Sequence, residues 1–489
     1  MLVSTEMLYV AAAVELLVVA AHVLVIGSVL LARRRDPSAT LAWILFIALV
    51  PIVGVVLYLA FGRVRIRRAR KRTGRAERRV RTILSRHDVP GRLLGARRET
   101  LEERTQTQLA LGNALASTPA SQGNTACVLH DADVTYQEIL AAIDGARDHV
   151  HVEFYIVQPD AVGETLRDRL AQRAAEGIEV RVLCDAIGSM ALPRGFWRPL
   201  RDAGGHAAFF APALKLVARL RRRDRLDYRN HRKVVVVDGR IGFTGGINVG
   251  KEYLGLDPRI GRWRDTHMRI EGPAVLSLQQ TFLQDWLLTT AETLDDARYL
   301  PDCPARGDCV VQVIDSGPDQ AWPTMELYYA QAIAQAQDRV WITNPYFIPS
   351  AAVQAALTVT ALRGVDVRLL LPSRSDSRLV TQASRSYYGE LLESGVRIFE
   401  YGRGFVHAKT MVVDDWVATV GSANMDMRSF NLNYELNAFV FGAGVCRDIA
   451  AQFAADLDSA TEVTPETVGR TSLPSRLAQS VARLLSPLL

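Results

Sequence analysis

Cysteine is scarce and unpaired in this chain: Cys127, Cys184, Cys303, Cys309 and Cys446 are an odd five among 489 residues. No two form a CxxC pair, and no histidine or cysteine stands at zinc-finger spacing from another. That excludes a disulfide-framed secreted scaffold and a zinc-finger module. Only Cys303 and Cys309 are close enough in sequence to bridge, and the five are read as reduced, packing thiols. Net charge is also low. Charged residues make up 22% of the chain against 49% hydrophobic, and the formal balance is +6. Most of that excess lies between Arg63 and Arg98, a local basic block in an otherwise balanced protein. The length corresponds to about three domains of roughly 150 residues, with ample apolar material for a large core.

What the chain does have, at its start, is two apolar runs. Leu8 to Leu31 is long enough to cross a bilayer, which takes about 20 residues, and ends at Arg33-Arg34-Arg35-Asp36-Pro37. Ala39 to Phe61 follows at once. A cleaved signal peptide would carry a basic n-region and a shorter apolar core, and neither is present. The expectation is a transmembrane hairpin over 1–62, followed by a basic juxtamembrane linker over 63–120. Arg63, Arg65, Arg67, Arg68, Arg70, Lys71 and Arg72 place the long C-terminal part on the cytoplasmic side of the cell membrane, although the three hairpin arginines argue the other way. This block suits anionic headgroups; a solvated basic helix and a nucleic-acid contact are the alternatives, and its place beside a span favours lipid. Glu15 and His22, costly inside a span, fall on roughly one helical face.

From about Cys127 onward the chain repeats itself. Ala142-Ile143, Ala146 and Val150 to Ile156 are matched by Ala332-Ile333, Ala336 and Val340 to Ile348. Gly177 to Leu183 is matched by Gly364 to Leu370. Helices alternating with short β-branched strands predict an α/β fold, two pseudo-symmetric α/β/α halves over 121–300 and 301–470 with a site at their seam. Residues 471–489 read as an amphipathic segment: Leu477, Val481, Leu484, Leu485 and Leu488 recur at helical spacing beside Arg476 and Arg483. A helix packed on the core and one lying on the membrane fit this equally.

The chemistry sits in the next part of each repeat. His231-Arg232-Lys233, Asp238, Gly245-Gly246 and Asn248 recur at identical spacing as His407-Ala408-Lys409, Asp414, Gly421-Ser422 and Asn424. If each His-x-Lys lies on a strand, its two side chains share a face. A turn at Asp238-Gly239 or Asp414-Asp415 then returns the chain and brings Asn248 or Asn424 beside the histidine. Two imidazoles, two lysines and two amides suit a phosphodiester: cations and amides bind its non-bridging oxygens, while the imidazoles share nucleophile and proton work. The catalytic set is His231, Lys233, Asp238, His407, Lys409 and Asp414, with Asn248, Asn424, Ser422 and Gly246 on the substrate. For the two aspartates a turn-closing, amide-capping role is favoured over orienting a group at the site. Asp265 and Glu435 are the candidates to hold an imidazole Nδ1, and His267 is read as a strand residue. A chance histidine on a strand would explain one motif but not a matched pair.

On these residues the chain resembles the phospholipase D superfamily, whose twin HxKxxxxD motifs it carries in full. Within it, the chain is similar to bacterial cardiolipin synthases along nearly its whole length, on Leu49 to Gly54, Tyr58 to Arg63, Asn230 to Lys233, Asn344 to Pro349, Gly421 to Glu435 and the Leu484 to Leu489 terminus. Gly246 stands where the second half has Ser422, losing one hydroxyl. The resemblance implies a metal-independent, cofactor-free transfer. One histidine, taken as His231, forms a phosphatidyl-histidine from phosphatidylglycerol and releases glycerol. The other, His407, moves the protons, and a second phosphatidylglycerol takes up the phosphatidyl group; the reverse assignment is open. A phospholipase D hydrolase, a phosphatidylserine synthase and a nuclease share the site chemistry and differ in acceptor. A non-catalytic membrane scaffold is opposed by the intact His-Lys pairs. Membrane phospholipid and the bilayer are the expected partners, and nucleic acid is not.

Overall fold

The computed structural model describes residues 5–31, 37–58, 66–93, 101–116, 118–210, 228–256, 261–375 and 377–486. The chain groups into two compact units, Met1–Arg70 with Leu214–Tyr228, and Lys71–Ala213 with Arg229–Leu489.

The first unit is helical. Thr5–Leu30 is one helix of 26 residues, while the second apolar run forms two, Pro37–Leu49 and Pro51–Leu57. Pro51 makes the break. It has no N–H to donate, and it pushes Val50 out of helical geometry, to φ −128° and ψ 71°. The single span expected over Ala39–Phe61 is therefore interrupted. Val29, Ile47 and Tyr58 are buried together, and Ser28 Oγ donates to Tyr58 Oη at 3.1 Å. Leu16, Leu24, Leu45, Leu49 and Ile52 point outward and are exposed. Several side chains of Thr5–Leu30 fall outside the description, and among the described residues no helix is long and apolar enough to cross a membrane. Arg33 to Asp36, Arg63 and Arg65 lie outside the described residues, as do the side chains of Arg67, Arg68, Arg70, Lys71 and Arg72.

The second unit carries the repeat on one continuous sheet. Its first half contributes β1 (Ser121–His130), β2 (His149–Phe154), β3 (Glu179–Asp185), β4 (His206–Phe210), β5 (Arg229–Asn230), β6 (Val234–Val237), β7 (Ile241–Gly245), β8 (Trp263–Arg264) and β9 (Thr266–Glu271). The second contributes β10 (Cys309–Ser316), β11 (Arg339–Thr343), β12 (Asp366–Pro372), β13 (Arg397–Tyr401), β14 (Phe405–Val406), β15 (Thr410–Val413), β16 (Val417–Gly421), β17 (Asn433–Phe441) and β18 (Ala460–Val463). The order is β18-β13-β12-β11-β15-β16-β17-β10-β1-β9-β7-β6-β2-β3-β4. Outward from the antiparallel β10·β1 pair the two halves mirror one another, with parallel pairs β2·β3 and β11·β12 in matching places.

Alternation along the strands assigns the faces. Val235 and Val237 of β6 join Ile143, Leu166 and Leu170 under the first half's helices. Val234 and Val236 turn to the opposite face, where Val412, Val420, Leu436 and Ala438 extend one apolar layer across both halves. Each such valine contributes about 1.5–3 kcal/mol on burial, so a one-residue slip of β6 would forfeit both layers. The 63–120 stretch, expected as a linker, is helical over Ile66–Arg86, Val89–Leu93 and Glu103–Leu115. Val80 and Ile83 pack with Phe282, and Leu109 joins the second half's core. All five cysteines are free thiols, Cys303 and Cys309 included.

Candidate active site

The motif histidines do not lie on strands as expected. His231 to Lys233 and His407 to Lys409 are extended links, between β5 and β6 and between β14 and β15. What fixes them is a crossed pairing. β5 runs parallel to β17, with Arg229 opposite Asn433 and Asn230 opposite Tyr434. The His231 N–H then donates to Tyr434 O at 2.9 Å, and the residue after Tyr434 is Glu435. In the other half β14 runs parallel to β8, with Phe405 opposite Trp263 and Val406 opposite Arg264. The His407 N–H donates to Arg264 O at 2.7 Å, and the next residue is Asp265. Each histidine is thus seated on the other half's carboxylate strand.

The side chains follow. His231 Nδ1 is 2.9 Å from Glu435 Oε2, and His407 Nδ1 is 2.6 Å from Asp265 Oδ2. With Nδ1–H given to a carboxylate, Nε2 keeps its lone pair for chemistry. Glu435 is buried and also accepts from Ser422 Oγ at 2.5 Å, Ser429 Oγ at 2.9 Å and Asn433 Nδ2 at 3.2 Å. Burial alone would raise its pKa, but His231, then Lys233 and the Ser422 hydroxyl, hold it below the ordinary carboxylate value. Asp265 is held low against burial by Lys409 and His407.

Both lysines are fully buried. Lys233 Nζ donates to His231 O at 2.7 Å, and Lys409 Nζ lies 2.8 and 3.0 Å from the two ring nitrogens of His407. Burial, then the neighbouring Lys409 charge, lowers Lys233 to about 7. Burial, then Lys409, lowers His407 to about 4, with Lys233 adding to the effect. Burial also lowers His231, which feels Glu435 in opposition and then both lysines. Each imidazole senses the lysine of the opposite half, so the two motifs share one electrostatic site.

Other expected residues take different places. Asp238 and Asp414 stand beyond the far ends of β6 and β15, at the hairpin turns with φ of 53° and 52°. Asp238 accepts from the Arg147, Asp148 and His149 amides, and Asp414 from the Gln337, Asp338 and Arg339 amides and from Arg104. Both cap backbone amides at their turns. Ser422 Oγ donates to Glu435 and accepts from the Leu436 amide. Gly246 is a close approach: a Cβ there would stand 2.1 Å from Asp265 Oδ1. Neither asparagine bonds its histidine among the described residues. Asn248 donates to Tyr253 Oη at 2.6 Å and accepts from the Ile156 amide, while Asn424 Oδ1 is buried with no partner among the described residues. His267 is a core residue of β9, lowered by burial to about 3, and neither ring nitrogen has a partner among the described residues.

Sequence reading missed the aromatic walls and a buried polar brace. Trp263, Tyr253 and Phe405 have ring centres 4.9, 5.7 and 5.6 Å from that of His407, and Tyr155 stands 4.9 Å from His231. Arg232 donates to Asp285 Oδ2 at 2.6 Å, to Ser316 O at 3.2 Å and to Glu435 O at 3.2 Å, tying the His231 link to the other half. Asn230 Nδ2 donates to Glu153 and Asp285. The one available signal was Asn230 and Arg232 flanking the first histidine.

A family model described as "Cardiolipin synthase, PLD-like domain" matches residues 139–286 and 329–457, and one described as "Phospholipase_D-nuclease N-terminal" matches residues 17–63. A cardiolipin synthase of Geobacillus sp. is 40% identical over 97% of this chain and 93% of its own length. The major cardiolipin synthase ClsA of Bacillus subtilis is 39% identical over 94% of this chain and 96% of its own length. Among solved structures, a phosphatidylserine synthase of Haemophilus influenzae superposes with a TM-score of 0.60 at 13% identity, over 79% of this chain and 100% of that one, a likeness of fold.

Proposed function

The chain belongs to the cardiolipin synthase family of phospholipase D-like proteins, and from that premise we propose that it joins two phosphatidylglycerol molecules into cardiolipin and glycerol. The observation that carries the chemistry is the crossed pair of carboxylate-held imidazoles sensing both buried lysines. His231 Nε2 attacks phosphorus, and the bond from phosphorus to the glycerol oxygen breaks. His407, charged when the phosphodiester anion enters, protonates the departing glycerol. A headgroup hydroxyl of the second phosphatidylglycerol then gives its proton to neutral His407 and attacks the phosphatidyl-histidine, breaking the N–P bond and restoring His231. A ring bonded to phosphorus carries positive charge, and Glu435, fixed by three further donors, is the stronger counter-charge for it. This favours His231 as nucleophile. Lys233 and Lys409 meet the charge growing on the non-bridging oxygens. The aromatic wall around His407 favours an alcohol over water as acceptor.

Both substrates are bilayer lipids, so the helical unit is read as a membrane anchor whose outward leucines face lipid, with the catalytic unit on the cytoplasmic side. Carbonate extraction and thiol accessibility of cysteines placed in 1–62 test that. The activity itself is tested with labelled phosphatidylglycerol and purified full-length protein, with and without EDTA. Cardiolipin and glycerol in equal amounts support the reading, and phosphatidic acid as the sole product overturns it.

A further inference from the structure

The helix Leu473–Leu484 packs on the helix Arg378–Arg385 and is held there by its polar side. Arg483 makes a two-pronged ion pair with Glu390 at 2.6 and 3.1 Å, its guanidinium lies 4.5 Å from the Tyr387 ring centre, and Ala482 is buried beneath. With that side engaged, the apolar side is left outside. Leu473, Leu477, Val481 and Leu484 are 80, 65, 51 and 80% exposed. At helical spacing they fall in an arc of about 80°, a continuous stripe and not scattered surface residues.

The helix that bears the stripe packs on one that leaves the catalytic end of the sheet. β11 runs out toward Tyr346, whose ring centre is 6.4 Å from that of His407. β12 runs parallel beside it, ends at the same side and leads into Arg378–Arg385, the platform for the C-terminal helix. The same end bears other exposed apolar side chains: Ile187 and Met190 after β3, Leu256 after the turn holding Tyr253, and Trp322 after β10. In the catalytic unit only Val359 and Leu362, at the far end of their helix, depart from this bias among the described large apolar residues. Charge follows the stripe. Arg476 lies on its flank, donates to Gly469 O at 2.6 Å, and opens with Arg385 and Arg483 onto a cleft of about 290 Å³. Arg385 and Arg483 have carboxylate partners in Glu400 and Glu390, whereas no carboxylate pairs with Arg476 among the described residues.

We propose that the C-terminal helix lies in the interface of an anionic bilayer, its leucine stripe among the acyl chains and Arg476 at the level of the lipid phosphates, so that the catalytic end of the sheet is seated on the membrane. This extends the membrane reading above and gives the second unit a lipid contact of its own. An amphipathic helix with an arginine margin suits that position, and a bilayer carrying phosphatidylglycerol supplies both the apolar layer and the negative charge.

The test uses the full chain in vesicles. Cys127 and Cys309, the two thiols that are not buried, are replaced by serine, and an environment-sensitive fluorophore is placed on Leu477→Cys or, as a control at the opposite end of the sheet, on Asp302→Cys. In phosphatidylglycerol-containing vesicles the Leu477→Cys emission shifts to the blue and is quenched by lipid-borne quenchers, while the control is unmoved. Arg476→Ala reduces the inserted fraction about fivefold. Leu477→Glu with Leu484→Glu lowers turnover in vesicles at least about tenfold but leaves turnover in detergent micelles intact. An emission unchanged in vesicles overturns the proposal. A shift already present in detergent and growing with protein concentration also overturns it, assigning the stripe to a second copy of the chain. The fluorescence needs no turnover, so failure of the synthase reading leaves this result legible.

Discussion

Around His231 the carboxylate is a glutamate that accepts from His231, Ser422, Ser429 and Asn433; around His407 it is an aspartate that accepts from His407 and the Thr266 amide. The shorter side chain goes with glycine at 246, the longer with serine at 422. A Cβ at 246 would collide with Asp265, whereas the extra methylene of Glu435 leaves room for a hydroxyl that donates to it. The walls differ as well. His407 stands among Tyr253, Trp263 and Phe405 and is lowered to about 4, while His231 has Tyr155 and a fully bonded counter-ion. One geometry occurs twice, and these differences are the ground on which we propose that His231 holds the covalent bond and His407 passes protons.

The sharpest break of that comparison removes one ring at a time. His231→Ala and His407→Ala each lower turnover by about 10⁴-fold or more, but they fail differently. Given a phosphatidyl ester whose leaving group needs no proton, such as a nitrophenolate, His407→Ala accumulates a phosphatidyl group on His231, seen as a mass addition to its peptide, and His231→Ala accumulates none. Equal labelling in the reverse pattern exchanges the two roles. Next come the carboxylates. Glu435→Gln and Asp265→Asn each cost roughly 10²–10⁴-fold in kcat, with Glu435→Gln the larger because an amide there opposes three donors besides the imidazole. Equal losses would mean that the richer network has no catalytic consequence. Gly246→Ala displaces Asp265 and lowers kcat by about 10²-fold, whereas Ser422→Ala removes one hydrogen bond to a charged acceptor, about 1.5–3 kcal/mol or roughly tenfold or more.

How much of this was legible follows from where each constraint lives. The matched His-Lys-Asp spacing and the paired strand-helix units are local patterns, so the repeat, the α/β layers and the catalytic side chains could be read directly. Asp265 and Glu435 were legible as candidates, but their exchange between halves was not, because β5·β17 and β14·β8 pair residues roughly 140–200 positions apart through the two-residue strands β5, β8 and β14. Such strands carry no periodicity. The unbroken sheet was hidden for the same reason: β1 and β10 meet at its centre and belong to neither copy of the motif. Pro51 was visible, yet a long apolar run outweighed its effect on the helix.

Lys233 gives a smaller effect that reads the shared field. Near pH 7 it is poised between charged and neutral forms. A phosphodiester entering between the halves favours the ammonium and raises that pKa, so binding takes up a proton and weakens as pH rises through about 7. Deacylated phosphatidylglycerol, whose diester does not titrate in this range, isolates the effect. Calorimetry at pH 8 in two buffers of different ionisation enthalpy shows net proton uptake, which Lys233→Met reduces by the lysine's share, leaving His407 to supply the rest. No uptake in the unsubstituted protein would mean that the two motifs do not share a field.

The smallest effect separates the motif aspartates from the chemistry their spacing associates with them. Asp238 and Asp414 each gather three backbone amides at the hairpin turn, and Asp414 alone adds Arg104 Nη1 at 2.7 Å. Asp238→Asn and Asp414→Asn therefore lower stability by about 1–3 kcal/mol, more for Asp414, while kcat of the folded fraction stays unchanged. Despite burial, the Arg339, Asp338 and Gln337 amides hold the Asp414 carboxyl below its ordinary value. A carboxyl lowered in the folded state adds stability above its unfolded value, and that part is lost as pH falls through the folded one. Melting followed by circular dichroism from neutral pH into acid should show a shallower decline for Asp414→Asn than for the unsubstituted protein. A fall in kcat at full folding would return these carboxylates to the reacting set, and with it the idea that the whole motif, not only its His-Lys part, faces the phosphate.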